Sequence, residues 1–143
     1  MNSITPWIKY KGPYKPKYQT SGSAGCDLES TIDVVIRAGS RRAIPTGLFL
    51  EIPVGFVGLV CPRSGLALKH GITVLNGPGV VDSDFRGELQ VLLVNLSTED
   101  YSVKKGDRIA QLLFSPIFQG HFRESEDLQS TDRDGGGFGS TGR

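Results

Sequence analysis

Apolar residues in this chain gather in short runs and do not recur at the three-and-four spacing of an amphipathic helix. The runs are residues 32–39 (IDVVIRAG), 47–62 (GLFLEIPVGFVGLVCP), 71–75 (GITVL), 87–97 (GELQVLLVNLS) and 108–118 (RIAQLLFSPIF), with Gly, Pro, Asn and Asp between them. Runs rich in Val, Ile, Leu and Phe, punctuated at short intervals by turn formers, predict strands. Their spacing predicts antiparallel strands in two packed sheets, an all-β sandwich or barrel. One patch suits a helix: in SGLALKHG, Ser64 can cap, Leu66 to Lys69 favour helix, and Gly71 can end it. The opening WIKYKGPYKPKY alternates aromatic and lysine residues. That composition can serve single-stranded nucleic acid, but the alternation reads better as an edge strand with one wet face. From about residue 119 the periodicity ends and polar residues take over, so residues 1–143 read as a single domain with 119–143 as an extended arm.

Composition agrees with short strands and tight turns, for the chain has 19 Gly and 8 Pro among 143 residues, enough length for a real core. Its 16 Lys and Arg nearly cancel 15 Asp and Glu. A balance of this kind marks no nucleic-acid or membrane partner. The amino terminus has no apolar signal core, and no run approaches the about 20 apolar residues that cross a bilayer, so a cytoplasmic location is expected. Cys26 and Cys61 read as free thiols, and His70 and His121 fall in no ligand-spaced cluster, which argues against zinc.

Functional residue types collect at the breaks between apolar runs. In AGCDL, Asp27 stands alone among small and apolar neighbours, either a turn residue or an outer ligand of a metal. In PRSGLA, Arg63 and Ser64 open the helical patch, where amides, a hydroxyl and a guanidinium make either an anion site or a plain cap. LNGPGVVDSDFRGE packs Asn76, Asp82, Asp84, Phe85, Arg86 and Glu88 into a segment that reads as a hairpin. Asp82 directly follows Val80 and Val81, where strand burial would make an unpaired carboxylate costly, and this marks it as a candidate general base. In GDRIAQLL, Gln111 either turns to a wet face or holds a phosphate oxygen or a water.

The chain closes on GGGFGSTGR, in which residues 137–142 spell G-x-G-x-x-G. A dinucleotide turn needs a strand before and a helix after those glycines, and only Arg143 follows; the Lys and Ser or Thr of a P-loop are also lacking. What survives is local chemistry: glycines that permit close backbone approach, hydroxyls, Arg133 and Arg143, and the Phe138 ring.

In this order and spacing the five clusters resemble the five motifs of the trimeric deoxyuridine triphosphatase (dUTPase) family, from residue 24 to 142. The resemblance implies a jelly-roll-like β-sandwich or distorted barrel with one short helix. It also implies a homotrimer with sites at subunit interfaces and an arm that folds over the nucleotide bound at another subunit. The implied reaction is Mg2+-assisted attack of water on the α-phosphorus of dUTP, releasing dUMP and pyrophosphate. By matching position, Asp82 is then the base that activates water. Arg63, Ser64, Gly65 and Gln111 serve the phosphates, and Asp27 touches the hydration shell of magnesium. Asn76, Val80, Val81 and Gln90 read uracil, largely through backbone. Phe138 stacks on the base, while Arg133, Gly139, Ser140 and Thr141 close on the terminal phosphate. Phe85 stands where the family motif usually has Tyr, which keeps a ring for the deoxyribose and loses a phenol hydrogen bond. A dCTP deaminase shares the fold, but the complete arm and the GVVDSDFRGE motif favour hydrolysis. A catalytically idle relative would be expected to lack Asp82, Arg133 or Phe138, all present here.

Overall fold

In a computed structural model, which describes residues 5–142, the chain forms strands β1 (Lys9–Lys11), β2 (Cys26–Glu29), β3 (Val34–Ile36), β4 (Arg41–Glu51) and β5 (Phe56–Cys61), then helix α1 (Ser64–His70). Strands β6 (Ile72–Val74), β7 (Gly79–Val81), β8 (Glu88–Asn95), β9 (Tyr101–Val103) and β10 (Arg108–Pro116) follow. Arg143, counted above among the cations of the tail, lies outside the described residues. One four-stranded sheet has the order β1-β4-β8-β6, a second β2-β10-β5-β7, and β3 pairs with β9 as a ribbon. Every pairing is antiparallel. Among the described residues neither larger sheet closes on itself, so the architecture is a sandwich and not a closed barrel.

The period-two pattern explains why the sheets face each other. Along β4, Ile44, Thr46, Leu48 and Leu50 are buried in alternation, and along β8 so are Leu89, Val91 and Leu93. The register sets Ile44 opposite Val91 and Leu48 opposite Leu89, so branched side chains from neighbouring strands share one inner face. Leu28, Val60, Ala110 and Leu112 of the other sheet complete the core. Asn95 is fully buried within it, yet all its polar capacity is met. Its Nδ2 donates to the carbonyls of Ile36 at 2.9 Å and Glu99 at 2.8 Å, and its Oδ1 accepts from the Ser97 amide at 2.9 Å and hydroxyl at 2.7 Å. A buried amide satisfied at every site fixes the turn into β9.

Local structure departs from the sequence reading at several points. The edge-strand expectation for the amino-terminal stretch is met by only three residues of β1, all exposed. Helix α1 starts where expected, but its N-cap is Arg63, in extended conformation with no side-chain capping bond, and Ser64 is the first helical residue. Gly71 ends the helix in the left-handed region at φ 66°, as expected, and its amide bonds the Ala67 carbonyl at 3.0 Å. Run 47–62 divides into the end of β4 and β5, with Gly55 at φ 88° in the turn. The segment 75–88 is not a hairpin: β6 and β8 lie in one sheet and β7 in the other. The chain therefore crosses the sandwich between β6 and β7 and crosses back before β8. That double crossing places the polar residues of the segment at the mouth between the sheets.

Candidate functional site

Among the described residues strand β7 pairs only with β5, along one edge, so the backbone donors and acceptors of its other edge remain open to a ligand. Beside it lies a cleft of about 290 Å³ lined by Asn76, Val80, Val81, Asp82, Phe85 and Gln90, with Val60, Gly79, Glu88, Leu89 and Leu92. Gly79 packs closely there, since a Cβ on it would lie 3.3 Å from both Asn76 Nδ2 and Val60 Cβ. Asp82 begins a turn in which the Phe85 amide donates to its carbonyl at 3.2 Å. The Phe85 ring lies over Gly87, whose added Cβ would meet ring atom Cζ at 2.6 Å. Asp82 itself is exposed. The burial that first drew notice to it does not occur, because the strand ends at Val81 and the turn lifts the carboxylate out of the core. What distinguishes Asp82 is its place on the cleft wall beside an aromatic ring.

A second group sits across β5. Asp27 lies in β2, not in a turn, and is 9% exposed. Its carboxylate faces Arg63 Nε at 3.6 Å and accepts a hydrogen bond from Arg108 Nη1 at 3.3 Å. Arg63 Nη1 in turn donates to the Arg108 carbonyl at 2.8 Å. Gln111 stands opposite both Asp27 and Cys61 in the sheet register, and its Nε2 donates to the Pro62 carbonyl at 3.0 Å. Asp27, Arg108 and Gln111 thus fix the start of α1, where Ser64 and Gly65 are exposed. One Nε2 hydrogen and the exposed hydroxyl stay available to an anion. Arg108 escaped the sequence reading. Its signal was indirect: a carboxylate among apolar strand residues needs a cation, and antiparallel pairing with β10 supplies one.

The cleft and this group are carried on neighbouring strands, but no residue of the second group lines the cleft. Nor do Arg133, Phe138, Gly139, Ser140 or Thr141, all of them exposed. The arm makes its own turns, with Arg133 Nε donating to the Gly136 carbonyl at 2.8 Å and Ser140 amide to Gly137 carbonyl at 3.1 Å. Phe138 holds φ 49° and Gly139 φ 84°, a left-handed pair that presents the ring outward.

Residues 14–142 match the sequence profile of the dUTPase family. The chain belongs to that family. It is 53% identical over 131 residues to the deoxyuridine 5'-triphosphate nucleotidohydrolase of Sinorhizobium medicae, covering 89% of this chain and 82% of that protein. Identity to the enzyme of the same name from Treponema denticola is 53% over 134 residues, with 92% and 93% covered. Among solved structures, the Staphylococcus bacteriophage 80alpha dUTPase with dUPNHPP is similar at a TM-score of 0.89 and 26% identity, covering 97% of this chain and all of that one. A mutant dUTPase of phage phi11 of S. aureus, described with a structural Mg(II) ion, has the same fold at a TM-score of 0.80 and 22% identity over 87% of this chain and 99% of that one.

The family resemblance brings magnesium into question. Among the described residues no group of three His, Cys, Asp or Glu side chains could enclose a metal. Asp27 is committed to two guanidinium groups. This donor set fits Mg2+ only in the way that cation favours with nucleotides, held by phosphate oxygens and water with a protein carboxylate at its periphery. The dUTPase fold also keeps the cysteines apart. Cys26 stands opposite Leu112 and Cys61 opposite Gln111, on either side of β10. Strands two places apart are separated by about 10 Å, beyond the about 7 Å that a disulfide spans. Both are free, and burial pushes the Cys26 thiol up, so it is an inert core residue. Among the described residues no helix is long and apolar enough to cross a membrane.

Proposed function

We propose that this protein hydrolyses dUTP to dUMP and pyrophosphate. One observation carries the reading: a single cleft gathers the Asp82 carboxylate, the Phe85 ring and the unpaired edge of β7 flanked by Asn76 and Gln90. An open strand edge offers a planar base a fixed row of donors and acceptors. Uracil can match such a row, the amino group of cytosine reverses one partner, and backbone close to C5 leaves no room for the methyl of thymine. The Phe85 ring, 45% exposed, covers the deoxyribose. Asp82 accepts a proton from water as the water oxygen attacks the α-phosphorus. The bond to the bridging oxygen breaks and pyrophosphate leaves with the electron pair. Arg63, Ser64, Gly65 and Gln111 orient phosphate oxygens and stabilise the charge that moves onto them. Magnesium, when bound by the triphosphate, neutralises part of its charge and fixes its conformation, with Asp27 at its water shell.

The protein acts as a homotrimer in this reading. Arg63, Ser64, Gly65 and Gln111 do not line the cleft of their own chain, and the arm stands clear of it with Phe138 fully exposed. Neighbouring copies then supply the phosphate residues and the arm, whose ring stacks on the base while Arg133, Gly139, Ser140 and Thr141 close on the terminal phosphate. The two free thiols fit a reducing, cytoplasmic setting. Pyrophosphate release measured in parallel from dUTP, dTTP, dCTP and UTP, with magnesium and with chelator, tests the reading, with ammonia monitored for dCTP. Release confined to dUTP and dependent on magnesium supports it. Ammonia from dCTP, or no preference among bases, overturns it.

A further inference from the structure

The turn that carries Asp82 and Phe85 has one bond of its own, from the Phe85 amide to the Asp82 carbonyl at 3.2 Å. Residues 82–87 lie between β7 and β8 and take part in no strand pairing. The turn is braced from outside its backbone by one atom. Arg86 Nη1 donates to the Ser83 carbonyl at 2.7 Å and to the Phe85 carbonyl at 3.0 Å. Two carbonyls two residues apart are thereby tied to a single cationic nitrogen, which fixes the Ser83–Asp84 and Phe85–Arg86 peptide planes. Charge-assisted bonds to carbonyls are stronger than neutral ones and strict in geometry. We infer that Arg86 is a positioning residue of the catalytic turn: its guanidinium clamps the Ser83 and Phe85 carbonyls so that the Asp82 carboxylate and Phe85 ring face the cleft together.

The surroundings favour this role over a stabilising one. Arg86 is exposed, and solvent-exposed contacts of a long side chain add little to stability. The facing anion is Glu51 of β4, whose carboxyl is held below the usual carboxylate range by its hydrogen bond and ion pair with Lys9 at 2.9 Å, and to a smaller degree by Arg86. Glu51 thus has a nearer partner, and Arg86 keeps its donors for the turn. Gly87 next to it leaves room for the Phe85 ring, so clamp and ring are adjacent parts of one device.

The inference rests on dUTP hydrolysis as proposed above, and its test separates the two. Arg86→Ala is expected to lower kcat for dUTP about 10- to 100-fold, the range that misplacement of a reacting group by about 1 Å produces. KM should change less than threefold, roughly, because the open edge of β7 is untouched. The dUTP-to-UTP ratio of kcat/KM should fall as the ring loosens, while the unfolding midpoint stays near that of the wild type. Free guanidinium at millimolar concentration should restore part of kcat, and Arg86→Lys, which keeps charge and donors, should lie between. Wild-type kcat in Arg86→Ala, a change confined to KM, or a loss that guanidinium leaves in place overturns the assignment. Amide hydrogen exchange at Phe85 reads the clamp without any turnover. Faster exchange in Arg86→Ala than in the wild type supports the brace even if dUTP is not the substrate, and equal exchange refutes it.

Discussion

Replacing Asp82 by Asn tests the centre of the mechanism with little disturbance of the fold. The side chain is exposed, lies at the end of β7, and makes no side-chain hydrogen bond among the described residues. A surface change of this kind alters stability by about 0.5 kcal/mol at most, so the unfolding midpoint should barely move. The amide keeps the shape of the carboxylate and can still orient a water, but it cannot take the proton. Proton transfer to a positioned base contributes typically about 10²- to 10⁴-fold, which is about 3 to 5 kcal/mol of barrier. Affinity for a non-hydrolysable dUTP analogue, measured by calorimetric titration, should stay near the wild-type value, or tighten through removal of a negative charge beside the triphosphate. Single-turnover hydrolysis should slow by the full factor. If turnover is near normal, Asp82 is not the base. If binding and thermal stability fall together, it is a structural turn residue.

Three further outcomes are expected. Phe85→Ala should lower the preference for dUTP over UTP if, as proposed, the ring covers the deoxyribose; equal specificity ratios in mutant and wild type would assign that discrimination elsewhere. Removal of residues 131–143 should leave the sandwich folded by circular dichroism and its assembly by sedimentation unchanged, while most turnover is lost, because every described residue of that segment lies outside the core. The third concerns alkaline pH: burial pushes the Tyr14 phenol up to about 12 from its ordinary 10.0, and its hydroxyl accepts from the Glu29 amide at 2.8 Å. A raised acid favours its neutral form in the folded state, so this contribution is complete below pH 10 and is lost as pH rises toward about 12. Denaturant titrations should show the wild type losing stability across that window, and Tyr14→Phe, weaker at neutral pH for want of the hydrogen bond, should lose less.

Sequence alone determined the class of the fold and the family, and it marked the candidate positions for the proposed chemistry. Alternating Val, Ile and Leu in β4, β8 and β10 can bury one face only as strands, and that pattern is written in consecutive residues. Gly71 as a helix stop is equally local, because the left-handed conformation is a property of one residue. The family motifs were legible for the same reason: GVVDSDFRGE and PRSGLA each lie within one short stretch. Tertiary structure decided what depends on residues far apart in the chain. Asp27 became an ion-paired strand residue because β10 delivers Arg108 across 81 positions. Strands β2 and β9, each of four residues or fewer, carry too little pattern of their own and exist because a neighbour pairs with them. The segment 75–88 looked like a hairpin since turn formers separate two apolar runs. Strand β7 joins β5 instead, and that choice was made by the partner edge and not by the turn. The same choice leaves β7 with an open edge and sets Asp82 beside Phe85 at the mouth of the sandwich, a juxtaposition that local composition cannot encode.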